Sequence, residues 1–341
     1  MVNSWRSASA LRIMLVAALA TTAAVGGFNY VSAQSATSGP TGPSTNNSDN
    51  KTVSFTTADA GTCLTWQLSN KAISAFEQTD CAGPHRFEVS SRENLAVYPT
   101  SEFGPTAKLP SQTRQAQLRE ELCKEPTMSY LGGTFDPSGK YSIASILPPQ
   151  EFWDAGDRTL LCGVQATDEK GTVITTTGKV SHQDQARIFA VGDCVAVDST
   201  NAARVVECSK PHQLETTAIV DLLAVFPDST PSVEQQDTHL KKVCTKAAQD
   251  YLGGDDPLYY STLQPFWTSV SESSWSRGSH SVNCSLMFAD GNKLGTLEGS
   301  AKGTFTVNGN PPAEKPERKP IVNPEALDSV GTSAPSAPKS P

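Results

Sequence analysis

The sequence predicts an α+β protein made of two tandem homologous modules, each a small, mostly antiparallel sheet with one main helix and two disulfide bonds. Three observations support this fold class: an internal repeat, four cysteines in each copy, and one helix-forming stretch in each copy. A hydrophobic amino-terminal helix and disordered termini complete the prediction.

The repeat consists of short motifs that recur in the same order, which is the pattern of a duplicated unit. Each copy opens with Gly-x-Cys and continues with Cys-x-x-Pro-His-x-apolar-Glu and Leu-Ala-Val-aromatic-Pro. A third cysteine then stands seven residues before Tyr-Leu-Gly-Gly, and Trp-x-x-Gly-x5-Cys closes the copy. These motifs predict modules at residues 55–166 and 189–290, joined by an inter-module linker at residues 167–188.

One helix is predicted in each module, at residues 111–131 and 232–252. Both stretches are rich in Gln, Glu, Lys, Leu and Ala, begin near a serine and end before Gly-Gly. Serine caps the free amides of a first helical turn, and glycine adopts the left-handed conformation that ends a helix. The segments around the other motifs alternate or carry β-branched residues, so they are predicted to be short strands.

The cysteines are even in number, and three pairings are possible within each module. We favour the first cysteine with the second and the third with the fourth, because the first pair would tie adjacent strands and the second would fasten the helix to the last strand. The four predicted bonds are Cys63–Cys81, Cys123–Cys162, Cys194–Cys208 and Cys244–Cys284. The alternative is zinc, since Cys81 with His85 and Cys208 with His212 have Cys-x3-His spacing. Structural disulfides are favoured over zinc because the chain is predicted to be exported and has no Cys-x-x-Cys motif.

The first 34 residues have the pattern of an export signal. Arg6 and Arg12 precede an apolar run from Ile13 to Phe28. Val31-Ser32-Ala33 then offers a small-residue cleavage site. The alternative is an uncleaved anchor that crosses the membrane through residues 11–31. Residues 1–34 are therefore a signal peptide or a membrane anchor, and both alternatives place residues 35–341 outside the cytoplasm.

Two segments lack the apolar residues that a folded core needs. Residues 35–54 are predicted to be a flexible linker, and residues 291–341 an extended segment with a disordered tail. The tail has eight prolines between Pro311 and Pro341. Such composition does not bury enough surface to offset the entropy of ordering.

The charge of the chain argues against nucleic-acid binding. The net charge is −8, the pI is about 5.2, and no dense run of Lys or Arg is present. Nucleic-acid binders usually carry a basic face.

His85 and His212 are the most suggestive polar residues because they recur in both copies. Their favoured role is structural, a hydrogen bond to turn backbone beside a disulfide; the alternative is contact with a ligand. Glu88 and Glu215 follow three residues later, and in a strand this odd spacing would put histidine and glutamate on opposite faces. That expectation argues against a catalytic His–Glu pair.

Trp153 and Trp275 are predicted to pack against the disulfides, with stacking on a sugar ring as the alternative. No serine-hydrolase elbow, zinc-protease helix, Walker A loop or dinucleotide-binding turn is present. We therefore predict no catalytic, cofactor-binding or metal-ligating residues.

The repeated motifs resemble those of the actinobacterial septum-formation domain family, over roughly residues 55–290. The resemblance implies an exported or membrane-anchored envelope protein linked to division septa, and it implies no reaction or cofactor. The leading hypothesis is a non-enzymatic protein that contacts divisome proteins or cell-wall polymer. The alternatives are a binding module for a small ligand or wall glycan, using the histidines and tryptophans above, and a cell-wall hydrolase.

Overall fold

The protein folds into two antiparallel sheets with few helices, as seen in a computed structural model that describes residues 55–69, 72–98, 100–291 and 293–318. The main strands of the first sheet have the order β2-β1-β3-β5-β4, and β6 pairs with β5. The strands and helices of the first module are β1 (Cys63–Ser69), β2 (Ala72–Thr79), β3 (Phe87–Asn94), α1 (Gln112–Leu118), α2 (Lys124–Tyr130), β4 (Tyr141–Ile146), α3 (Gln150–Asp154), β5 (Thr159–Thr167) and β6 (Val173–Ile174).

The second sheet has the order β10-β11-β9-β7-β8. Its module contains β7 (Cys194–Val197), β8 (Ala203–Val206), β9 (Leu214–Asp221), α4 (Val233–Leu252), α5 (Asp255–Ser261), β10 (Gln264–Trp267), α6 (Glu272–Trp275) and β11 (Ser281–Met287). Two small hairpins follow, made of β12 (Ala289–Asp290) with β13 (Lys293–Leu294) and β14 (Leu297–Glu298) with β15 (Thr306–Val307).

The two sheets have the same topology when they are compared strand by strand. β8, β7, β9, β11 and β10 occupy the places of β2, β1, β3, β5 and β4. Even the irregularities agree, because the register between β3 and β5 shifts at Ser90 and that between β9 and β11 shifts at Thr217. This agreement supports the duplication inferred from the motifs.

The main helix is continuous in the second module and interrupted in the first. α4 begins after a capping box at Ser232 and ends at Leu252, before the capping residue Gly253, which has a φ of 90°. In the first module, a π-helical turn at Arg119–Cys123 separates α1 from α2. Pro126 explains the difference, since proline has no amide hydrogen to bond the preceding turn and its ring crowds that turn. The corresponding residue of α4 is Ala247.

The eight cysteines form the four disulfides favoured from the sequence. The bonds are Cys63–Cys81, Cys123–Cys162, Cys194–Cys208 and Cys244–Cys284. In each module the first bond joins the first strand to the chain just after the second strand, and the other bond joins the helical segment to the last long strand. Each helical segment is therefore covalently fixed to its sheet.

Residues 167–188 do not form a simple linker, which differs from the prediction. β6 pairs with β5, the amide of Gly178 donates to the carbonyl of Cys81 at 2.6 Å, and Thr176 bridges to His85. In the second module, the amide of Gly299 donates to the carbonyl of Cys208 at 2.7 Å. We call residues 176–180 and 297–301 the closing segments, because each extends along the disulfide end of its module.

Hydrogen bonds also connect the two modules. The Ser279 hydroxyl donates to Oδ2 of Asp136 at 2.7 Å, and both side chains are buried. Residues of the connecting segment bond to the second module as well: the amide of Gln185 donates to the carbonyl of Gly278 at 2.8 Å, and the amide of His280 donates to Oδ1 of Asp184 at 3.1 Å. These contacts hold the modules against each other.

The predictions for the ends of the chain are tested only near the carboxyl end, where residues 293–318 are described. The leader and all of residues 35–54 lie outside the described residues, as does the tail beyond residue 318. Within the part of the tail that is described, Arg318 forms ion pairs with Asp255 and Asp256 on α5. Among the helices of the described residues, none combines the length and the apolar character needed to cross a bilayer.

Candidate functional site

Each module brings a cysteine, a histidine and a glutamate together at its disulfide end. The groups are Cys63, His85 and Glu88 in the first module, and Cys194, His212 and Glu215 in the second. Within each group, one sulfur, one ring nitrogen and one carboxylate oxygen lie within 4.8 Å of one another, and all six residues are buried. We call these groups the His–Glu clusters.

The histidine and glutamate lie close together because the histidine precedes the strand. The expectation that they point to opposite faces is therefore wrong: β3 begins at Phe87, after His85, and β9 begins at Leu214, after His212. His85 instead forms an isolated bridge with Thr176, and His212 forms one with Leu297. The alternation of a strand does not apply to these residues.

Each histidine ring is fixed by the turn that precedes it. Nδ1 of His85 lies 2.9 Å from the carbonyl oxygen of Gly83, and Nδ1 of His212 lies 2.8 Å from that of Lys210. Because a carbonyl oxygen only accepts, Nδ1 carries the hydrogen in both rings. This is the hydrogen bond to turn backbone that the sequence favoured.

The other ring nitrogen differs between the clusters. Nε2 of His85 lies 3.3 Å from the hydroxyl of Thr176. Leu297 stands at the position of Thr176, and Nε2 of His212 has no hydrogen-bond partner among the described residues. The second cluster therefore contains a buried acceptor without a donor.

The two buried glutamates share a recurrent set of donors. The Tyr130 hydroxyl donates to Oε1 of Glu88 at 2.6 Å, and the Val180 amide donates to Oε2 at 2.7 Å. Tyr251 donates in the same way to Oε1 of Glu215 at 2.7 Å. The glutamate thus links the end of the main helix to the closing segment.

Glu215 has one more donor than Glu88. The Ser300 hydroxyl donates to Oε1 at 2.8 Å, and the Ala301 amide donates to Oε2 at 2.7 Å. Burial, and then the bond to Glu215, raises the pKa of Tyr251. The same two causes raise the pKa of Tyr130 beside Glu88. Both phenols consequently remain protonated donors at neutral pH.

The clusters do not have the donor set of a zinc site in this covalent state. Zinc takes thiolate, imidazole and carboxylate ligands, usually four of them. Here Cys63 and Cys194 are bonded to other cysteines, and both carboxylate oxygens of each glutamate already accept hydrogen bonds. The arrangement fits a network that fastens the helix, the strand and the closing segment to one another.

The two tryptophans named from the sequence also lie inside the modules. Trp153 is fully buried in one cluster with Cys123 and Cys162, and its Nε1 donates to the carbonyl of Ala107 at 2.7 Å. Trp275 is buried with Cys244 and Cys284. Packing against a disulfide was the favoured role, and this placement gives no support to ligand contact by His85, His212, Trp153 or Trp275.

Sequence reasoning missed the tyrosines and the closing segments. Tyr130 and Tyr251 belong to the repeated Tyr-Leu-Gly-Gly motif, but the motif was interpreted only as a helix end. The closing segments share little more than Gly178 and Gly299, each followed two residues later by a small apolar residue. Both glycines have left-handed φ values, 81° and 94°, a conformation that side chains disfavour. These two glycines were the available signal.

The extra donor at Glu215 leads to a testable difference between the modules. We expect Tyr130→Phe to lower the free energy of unfolding by about 2–3 kcal/mol, because Oε1 of buried Glu88 loses its donor. Tyr251→Phe should lower the free energy of unfolding by only about 1 kcal/mol, since Ser300 still donates to Glu215. Urea unfolding of both variants measures the difference, and the half-exposed Tyr260 provides the control Tyr260→Phe. An equal or larger loss for Tyr251→Phe would contradict this interpretation.

The fold and the clusters together define a class of protein: a tandem-repeat protein whose modules are stapled by disulfides and whose recurrent polar residues are internal. The chain belongs to the Septum formation family, whose model matches residues 60–284, more than half of the sequence.

Two relatives from Mycobacterium tuberculosis, in strains CDC 1551 and H37Rv, carry the description "uncharacterized membrane protein". Each is 35% identical to the chain over 270 residues, which are 78% of this chain and 60% of the relative. The match thus spans less than two thirds of each relative. No solved structure matches the chain.

Proposed function

We propose that this chain is a non-enzymatic cell-envelope protein that acts in or near septum formation. It presents two rigid modules at the outer face of the membrane to divisome proteins or to cell-wall polymer. The observation that carries the proposal is the burial of both His–Glu clusters, in which the recurrent histidines and glutamates bond to neighbouring segments of the fold. The family membership supports the connection to division.

The location of the proposed activity is supported by the covalent structure. Four disulfides are typical of proteins that fold in an oxidising compartment. The relatives are described as membrane proteins, which agrees with a chain that is anchored to the membrane or released into the envelope.

The contact between the modules supports action as a single unit. Asp136 is buried, donates its backbone amide to Oε1 of Gln185 and accepts from Ser279 of the other module. Two modules held at a fixed distance can engage one partner or polymer at two places, which raises the effective affinity without new contacts.

Localisation in living cells tests the proposal. The full chain, fused at its carboxyl end to a fluorescent protein that folds outside the cytoplasm, should concentrate at division septa of its native host. Deletion of the gene should delay or misplace septa, and the unfused chain should restore them. Even envelope fluorescence together with normal septa in the deletion strain would refute the septal role.

The non-enzymatic part of the proposal needs a separate measurement. Purified full-length chain should produce no clearing in a gel that contains peptidoglycan. Clearing by the protein, with its disulfides intact, would show that it is a hydrolase instead.

A further inference from the structure

A cleft of about 400 Å³ lies between the two modules. One face of the second sheet forms its floor, through residues that include Leu214 and Phe266. Asp136 and Ser138 of the first module, residues 186 and 187 of the connecting chain and residue 189 at the start of the second module complete its walls. The volume is within the range of small-molecule sites.

Part of the cleft lining consists of side chains that can form hydrogen bonds but have no side-chain partner among the described residues. Six of its lining residues make no side-chain hydrogen bond to any described residue: Ser138, Asn201, Thr268, Ser269, Ser281 and Ser285. Five of these carry hydroxyl groups, which both donate and accept. Such groups would bind a ligand that itself has many donors and acceptors.

Comparison with the first module shows that this lining is particular to the second. The register of β4 with β5 and of β10 with β11 aligns Trp267 with Ser145, since these residues pair with Cys284 and Cys162. Counted onward along the chain, Thr268 and Ser269 correspond to Ile146 and Leu147. Val197 likewise takes the place of Trp66, which is buried in the apolar core of the first module. At Thr268 and Val197 the second copy therefore has a polar residue and a smaller residue where the first has the buried core residues Ile146 and Trp66.

The charged groups of the cleft are already engaged. Of the described residues that line it, the charged ones are Asp136 and Arg187. Asp136 accepts from the Ser138 amide and the Ser279 hydroxyl, and the Arg187 guanidinium donates to the carbonyls of Thr167 and Gly139. A ligand that needs a charged partner would find none free, which favours an uncharged ligand.

The backbone of the floor is engaged as well. β11 lies between β10 and β9, so its amides and carbonyls are paired on both sides. The edge strands of this sheet are β10 and β8, so an extended peptide could not add to the sheet at β11 in the middle of the floor. Recognition would therefore depend on side-chain hydroxyls above an apolar surface, a combination that suits the hydroxyl groups and C–H faces of a sugar.

We propose that the cleft between the modules binds an uncharged sugar chain. The full-length protein should bind triacetylchitotriose, with a dissociation constant on the order of millimolar. Saturation-transfer difference NMR, which detects the acetyl protons of the bound sugar, measures this affinity. Because the measurement uses purified protein, its result does not depend on the septal role proposed above.

Two variants transfer features of the first module to the cleft. Thr268→Ile combined with Ser269→Leu removes two free hydroxyls, and Val197→Trp fills the floor. Each should weaken binding about tenfold or more. Near-ultraviolet circular dichroism verifies folding. The control is Ser129→Leu at an exposed serine of α2, which lies outside the cleft and should leave the affinity unchanged.

The possible results separate clearly. Loss of binding in either folded cleft variant, with binding retained by Ser129→Leu, would support the site. Absence of saturation transfer in the unaltered protein, or unchanged affinity in both cleft variants, would overturn the proposal.

Discussion

Replacing Cys123 and Cys162 by alanine is expected to lower the free energy of unfolding of the first module by about 4 kcal/mol. The bond joins residues separated by 39 positions, so it removes a large part of the freedom of the unfolded chain. It also fastens the helical segment to β5, and both cysteines belong to the same buried cluster as the fully buried Trp153. Urea unfolding followed by tryptophan fluorescence measures the loss.

The Cys194–Cys208 bond is the matched control because it closes a loop of only 14 positions. Its removal by the same double alanine substitution should lower the free energy of unfolding by about 3 kcal/mol. The loss is only slightly smaller because the entropic effect of a cross-link grows slowly with loop length. Cys208 is also less buried than Cys123 and Cys162, so less packing is lost. A greater loss for the Cys194–Cys208 pair would contradict this ranking.

The arrangement of the modules could be predicted because the duplicated copies keep the same motifs in the same order. Each Gly-x-Cys motif leads into the first strand, each third cysteine lies in the helical segment, and each last cysteine lies in a long strand. Two disulfides per module then follow from proximity along the chain and from the need to fasten a helix to a sheet. The need to fasten a helix to a sheet arises in both modules, so the pairing of the cysteines is predicted more firmly than it would be from a single copy.

Other features could not be predicted because short motifs do not determine local register. The Leu-Ala-Val string aligns Leu95 with Leu223, yet Leu222 occupies the buried position of Leu95. The amides of Leu95 and Leu222 donate to the carbonyls of Arg158 and His280, which are at equivalent positions. The loop of the second module has one additional residue, and sequence identity alone placed it incorrectly.

The candidate sites were the least predictable part of the molecule. The His–Glu clusters depend on His85 and His212 lying just before a strand, and element boundaries are poorly specified by sequence. The cleft depends on the contact of two modules and on side chains such as Ser269 that belong to no motif. A surface of this kind becomes visible only when the fold brings distant segments together.

Arg158→Met is expected to lower the free energy of unfolding by about 3–5 kcal/mol, because several buried carbonyl oxygens would lose their donor at once. The Arg158 side chain is buried, and among the described residues no carboxylate forms an ion pair with it. Its guanidinium instead donates to backbone carbonyl oxygens, those of Phe103, Gly104, Pro105, Trp153 and Asp157.

The geometry explains why arginine suits this position. The guanidinium carbon lies 4.1 Å from the centre of the Trp153 ring, so the planar group stacks on the ring while its edge donates to the loop at residues 103–105. Lysine has three donors on one nitrogen and lacks this flat fork. Arg158→Lys should therefore recover only part of the stability lost in Arg158→Met.

The control for Arg158 is an arginine at the surface of the same module. Arg92 pairs with Asp59 at 2.9 Å, and both side chains are well exposed. Arg92→Met should change the free energy of unfolding by less than about 0.5 kcal/mol, because water solvates both partners. Hydrogen exchange should be faster at residues 103–107 in Arg158→Met and unaltered in Arg92→Met. Equal stability of the two variants would mean that the loop at residues 103–105 is held by its own turns, and that the buried guanidinium is dispensable.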